Sequence, residues 1–67
     1  MIANGYPYGD QGYVILEEGE INPANYGFVI HHHLVSHPDG SQEPGTYTMD
    51  EAKVKIDQLM ARNKKMF

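Results

Sequence analysis

The run from Tyr26 to Ser36, Tyr-Gly-Phe-Val-Ile-His-His-His-Leu-Val-Ser, constrains this chain more than any other stretch. Its strand propensity is high, and successive side chains of a strand leave on opposite faces. One parity carries Tyr26, Phe28, Ile30, His32 and Leu34; the other carries Gly27, Val29, His31, His33 and Val35. A strand with one wet face alternates apolar and polar residues, and this one is apolar on both. The first set is the larger and is expected to face the core.

A second strand is expected over Gly12 to Glu18, with Val14 and Leu16 on one face and Tyr13 and Ile15 on the other. Between them Gly19 to Asn25 reads as a loop, because Pro23 lacks a ladder donor and Asn22 and Asn25 tolerate turn geometry. Antiparallel pairing across it is the simplest topology. His37-Pro38-Asp39-Gly40 supplies the next turn, Ser41 to Pro44 extends it, and Gly45 to Thr48 forms a short third strand around Tyr47. Residues 1–11 have no period, with Gly5, Pro7 and Gly9 spaced between Tyr6 and Tyr8. They read as a flexible arm ahead of a single domain over residues 12–67.

The helix has the clearest start signal. Thr48-Met49-Asp50-Glu51 matches the capping box, in which the Thr48 hydroxyl accepts from the Glu51 amide and the Glu51 carboxylate reaches back to the Thr48 amide. Met49, Ala52, Ile56, Leu59 and Met60 then recur at helical spacing as one narrow stripe, while Val54 and Ala61 point away. The helix is expected from Met49 to Asn63 or Lys64, with Met66 and Phe67 as an apolar end. The fold class is therefore α+β: a three-stranded antiparallel sheet in the order β-β-β-α, its C-terminal helix on one face.

One helix covers one face. If it takes Val14, Leu16, Phe28, Ile30 and Leu34, the opposite face exposes Tyr13, Ile15, Val29, His31, His33 and Val35. A contiguous apolar patch of that kind asks for a partner. A second copy in a two-fold homodimer is the first candidate, another protein the second, and the arm the third. Sixty-seven residues bury only about 60% of their unfolded surface, which adds to the pressure for a partner. The chain has no cysteine, so disulfides and thiolate zinc sites are excluded. No stretch resembles an export signal or a membrane span, and a cytoplasmic protein without membrane association is expected.

Charge is divided along the chain. Of nine carboxylates only Asp57 follows residue 52, whereas all five basic residues, Lys53, Lys55, Arg62, Lys64 and Lys65, do so. Glu17, Glu18, Glu20, Asp39 and Glu43 thus form an acidic set able to face a basic partner. Direct nucleic-acid binding is disfavoured, since it needs a basic stripe. The order of strand, Asp-Gly turn, strand and capped helix resembles the small β-β-β-α arm-binding domains of phage integrases through generic turn and cap signals. Those domains are basic on the sheet and this chain is acidic there, so no function carries over.

Catalytic and cofactor signatures are not found, and no cofactor is expected. Ser36 and His37 are adjacent, so on a strand they point apart. His31 and His33 share a parity and could present two imidazoles to one zinc, nickel or copper ion, with His37 as a third ligand. The expected function is a small non-enzymatic protein-binding module, homodimeric, which occupies a basic surface on a partner. Short acidic chains of this type are common among phage and mobile-element products, including inhibitors of host defence. The alternatives are a histidine metal or small-ligand sensor on His31, His33 and His37, and a structural subunit of a larger assembly.

Overall fold

The computed structural model describes residues 1–64. It contains β1 (Ile2–Pro7), β2 (Val14–Ile21), β3 (Phe28–Ser36) and α1 (Met49–Lys64). The strands form one antiparallel sheet in the order β1-β2-β3, and α1 packs on one of its faces. The three-stranded sheet with one C-terminal helix is as expected, but its strands are differently drawn. β2 is central, not the Tyr26–Ser36 strand. The third strand comes from the N-terminal arm, with Pro7 opposite Val14, Tyr6 opposite Ile15 and Gly5 opposite Leu16. Gly45–Thr48 meets the sheet only through a bridge between His33 and Tyr47.

The arm forms a strand because its turn formers occupy tolerated places. Pro7 ends β1, and a proline fits at an edge where no ladder donor is required. Gly5 leaves room for Val14 and Leu16 to lean over bare backbone: a Cβ there would lie 3.1 Å from Val14 Cγ1 and 3.3 Å from Leu16 Cδ2.

The core lies between the sheet and α1. Tyr13, Ile15 and Val35 meet Ala52, Ile56 and Leu59, with Tyr8, Tyr47, Met49 and Met60 packed around them. Ile15, Val35 and Ile56 are fully buried, and each contributes roughly 1.5–3 kcal/mol on hydrophobic grounds. The helix begins as expected. Glu51 N donates to Thr48 Oγ1 at 3.1 Å and Thr48 N donates to Glu51 Oε1 at 2.9 Å. At its far end Asn63 Nδ2 donates to Tyr13 Oη and to Gln11 Oε1, both at 3.1 Å. The terminal Met66 and Phe67 lie outside the described residues.

The expected assignment of faces is reversed. Tyr13, Ile15 and Val35 lie under the helix, while Val14, Leu16 and Leu34 are on the other face. The helix takes the face of Tyr13, Ile15 and Val35, and a bulge in β3 further splits the set expected beneath it. Glu18 pairs with His32 but Gly19 pairs with Ile30, so His31 is an extra residue and the parity of β3 changes there. Phe28 and Ile30 therefore belong to the helix-side face with Val35, not with Leu34.

Beyond the core, the sheet narrows to two strands. The last contact of β1 with β2 is the Gly19 amide donating to the Met1 carbonyl, at 2.9 Å. From there β2 and β3 run on as a ribbon to the loop at residues 22–27, and the molecule measures 53 × 19 × 18 Å. The loop is internally bonded. Tyr26 N donates to Asn22 O, Asn22 N donates to Gly27 O, and the Asn22 and Asn25 side chains accept from Ala24 N and Gly27 N. Tyr26 is held at φ 58°, a conformation that bulky residues rarely adopt.

Candidate protein-binding surface

Register and hydrogen bonds together fix the open face of the sheet. It carries Ile2 and Gly5 from β1, Val14, Leu16, Glu18 and Glu20 from β2, and Val29, His31, His32 and Leu34 from β3. Leu34 is buried, Val14 and Leu16 are half-buried, and Ile2 and Val29 are exposed. The two carboxylates are each met by an imidazole. His32 Nε2 lies 2.5 Å from Glu18 Oε1, and His31 Nε2 lies 3.3 Å from Glu20 Oε1.

Three of the side chains expected at a partner interface are instead enclosed by the molecule's own helix. Tyr13 is 4% exposed, Ile15 1% and Val35 0%. Val29 and His31 remain at the surface of the open face. His33 pairs with Glu17 on the helix side and lines a cleft of about 340 Å³ along the strand edge with Ile30, His31, His32, Tyr47 and Glu51.

The acidic set is also divided. Glu17 is buried on the helix-side face, where its carboxylate accepts from Asn4 Nδ2 and Tyr6 Oη, both at 3.0 Å. That bond is the main cause holding the Tyr6 phenol above its ordinary pKa, since ionising the phenol would remove its proton from a carboxylate. Glu43 is clasped between His37 Nε2 at 2.6 Å and Lys55 Nζ at 3.3 Å. Chiefly through the His37 bond, its carboxyl lies below the usual range. Asp39 organises its own turn, accepting from the Ser41 hydroxyl and amide at 2.6 and 2.9 Å, which lowers its carboxyl as well. Glu17 and Glu43 are thus used internally, and Glu18 and Glu20 are the members of the set that share a face with exposed apolar side chains.

The proposed metal ligands are not brought together. The bulge sends His31 to Glu20 on the open face and leaves His33 opposite Glu17 on the other, while His37 bonds Glu43 at the base of the sheet. Among the described residues no group of three His, Asp or Glu side chains is arranged to hold a metal ion. No helix among them is long and apolar enough to cross a membrane.

The feature missed by sequence reasoning is the end of the ribbon. Ile21, Tyr26, Val29 and Ile30 are all exposed, from 43% at Ile30 to 84% at Tyr26. Pairing puts Ile21, Phe28 and Ile30 on one face and Val29 with Glu20 on the other. The signal was the turn-forming Asn22-Pro23-Ala24-Asn25, which joins the two strands of the hairpin just ahead of the apolar start of β3. No protein-family model, no curated protein and no solved structure matches the chain significantly.

Proposed function

We propose that this chain is a small non-enzymatic binding module that occupies a basic surface on another protein. The observation behind this reading is the open sheet face, where Glu18 and Glu20 stand among Ile2, Val14, Leu16 and Val29 and no Lys or Arg occurs anywhere in residues 1–52. A face of this kind suits a partner patch with an apolar centre and lysine or arginine at its margin. Opposite charge speeds encounter and rejects acidic competitors, and the apolar side chains supply the area that water leaves on contact. A groove that ordinarily holds nucleic acid has this chemistry, so the module would act there as an inhibitor, excluding DNA or RNA by occupancy. An anti-defence role for a phage or mobile-element product, within the cytoplasm, is one setting for such an inhibitor.

The test uses the chain tethered through the end of α1 and exposed to host extract at low ionic strength. Proteins with basic surfaces should be retained, should elute as salt rises, and should release bound nucleic acid when they bind the chain. The Glu18→Gln/Glu20→Gln variant should retain them poorly. Retention that is indifferent to both salt and the double variant would remove the proposal.

A further inference from the structure

We infer that two copies of this chain associate through the outer edge of β3 at the end of the ribbon, joining two hairpins into one four-stranded sheet. The outer edge of β3 is divided. From His33 onward it is covered, because His33 and Tyr47 exchange both backbone bonds, Glu43 N donates to Val35 O, and Ser36 bridges Gln42. From Phe28 to His31 the same edge has no backbone partner among the described residues.

This open stretch coincides with the main cluster of exposed apolar side chains, Ile21, Tyr26, Val29 and Ile30. Because they leave the ribbon on both faces, a lid on one face would cover only part of them. A partner strand added at the edge would extend both faces at once. An isolated two-stranded hairpin is marginally stable at best, and doubling it to four strands gives each half a neighbour to pack against.

The occupant is a second copy because of what the edge lacks. Unpaired strands are ordinarily protected by charged side chains or proline. Residues 26–33 contain neither Lys, Arg, Asp, Glu nor Pro. Two such edges can approach antiparallel across a two-fold axis without like charges meeting. Each edge then supplies the complement of the other, as a two-fold contact requires. Glu18 and Glu20 lie one strand away on β2, each beside its own histidine, and Glu51, which lines the cleft next to Ile30, is engaged at the start of α1 by the Thr48 amide. By contrast β1, the other free edge, is broken by a register shift between Ile2 and Gly5 and closed by Pro7, both of which hinder pairing.

The test is the solution mass of the full chain alone at neutral pH, by sedimentation equilibrium over a dilution series. The expected result is a concentration-dependent rise from 7.6 kDa toward twice that value. Ile30→Lys and Val29→Lys should each weaken association by about tenfold or more. Ile2→Lys on β1 and Val54→Lys on the helix should leave it unchanged. Circular dichroism on each variant separates lost association from lost folding. A chain that stays at 7.6 kDa at every concentration, or association abolished by Ile2→Lys and untouched by Ile30→Lys, overturns the inference. No second protein enters these measurements, so they stand or fall apart from the basic-partner reading.

Discussion

His31 and His33, two residues apart on one strand, lie on opposite faces of the sheet. His31 reaches the Glu20 carboxylate on the open side, and His33 stands opposite Glu17 on the helix side. The bulge that separates them depends on Gly19. A Cβ at that position would lie 1.9 Å from the Val29 carbonyl oxygen and 2.8 Å from its carbon, an overlap that only backbone movement could relieve. Gly19→Ala should therefore destabilise the fold by about 1–3 kcal/mol, a cost typical of forced overpacking. Urea unfolding followed by circular dichroism measures this. A variant as stable as the parent would show that the strands do not approach so closely.

The arm makes a second prediction, because it supplies the donors that make Glu17 tolerable. A buried carboxylate without partners is costly, and Asn4 and Tyr6 provide the two hydrogen bonds it accepts. Asn4→Ala should lower stability by about 1–3 kcal/mol, the cost of leaving a charged acceptor underbonded. Tyr6→Phe should also destabilise. Because the folded phenol titrates above its ordinary 10.0, the Tyr6 contribution is complete below that value and is lost as pH rises through the folded pKa. Ultraviolet titration of the parent should show tyrosines ionising later than free tyrosine, and Tyr6→Phe should diminish that late phase, leaving the part due to Tyr8, which burial and its bond to Asp57 also raise.

How much of this was legible beforehand follows from the range of each interaction. The capping box and the apolar stripe of α1 are local patterns, and Thr48, Glu51, Ala52, Ile56 and Leu59 occupy the positions their spacing implies. The α+β class followed from them and from the strand runs. The facing of the sheet was not legible in the same way. Tyr13, Ile15 and Val35 compete with Val14, Leu16 and Leu34 on nearly equal terms, and one bulge in β3 transfers Phe28 and Ile30 from one side to the other. The arm was unreadable for a different reason. Ile2–Pro7 has weak strand propensity and is exposed throughout, so its place in the sheet comes from pairing with β2 and from Glu17, not from its own pattern. The acidic set, read as surface charge, lost Glu17 and Glu43 to internal bonds that depend on residues far away in the chain.

Glu43 carries part of the acid sensitivity, alongside Asp39. Its carboxyl lies below the ordinary 4.5 because the charged form is bonded by His37 and attracted by Lys55. The contribution of such a group is present above the unfolded value and lost as pH falls through the folded one. The melting temperature of the parent should therefore drop as pH goes below about 4.5, in the range where unfolded glutamates titrate. Glu43→Gln should be less stable than the parent at neutral pH and should show a shallower acid limb. Equal acid limbs for the two proteins would mean that the clasp of His37, Glu43 and Lys55 does not carry this part of the stability.

The helix stripe makes the strongest demand on a core this small. Ile56 is fully buried against Ile15 and Val35, and its truncation removes contacts on both layers at once. Ile56→Ala should cost about 2–5 kcal/mol, comparable with all the stability a single core of this size rarely exceeds. The variant should be largely unfolded at 25 °C by circular dichroism. Thr48→Ala removes the cap that accepts from the Glu51 amide and should cost about 1 kcal/mol. Val54→Ala, on the outer face at 55% exposure, should stay within about 0.5 kcal/mol of the parent. The order of the three matters more than any one value. If Val54→Ala proved as damaging as Ile56→Ala, the helix would be packed on a different stripe, and the assignment of Tyr13, Ile15 and Val35 to the covered face would fall with it.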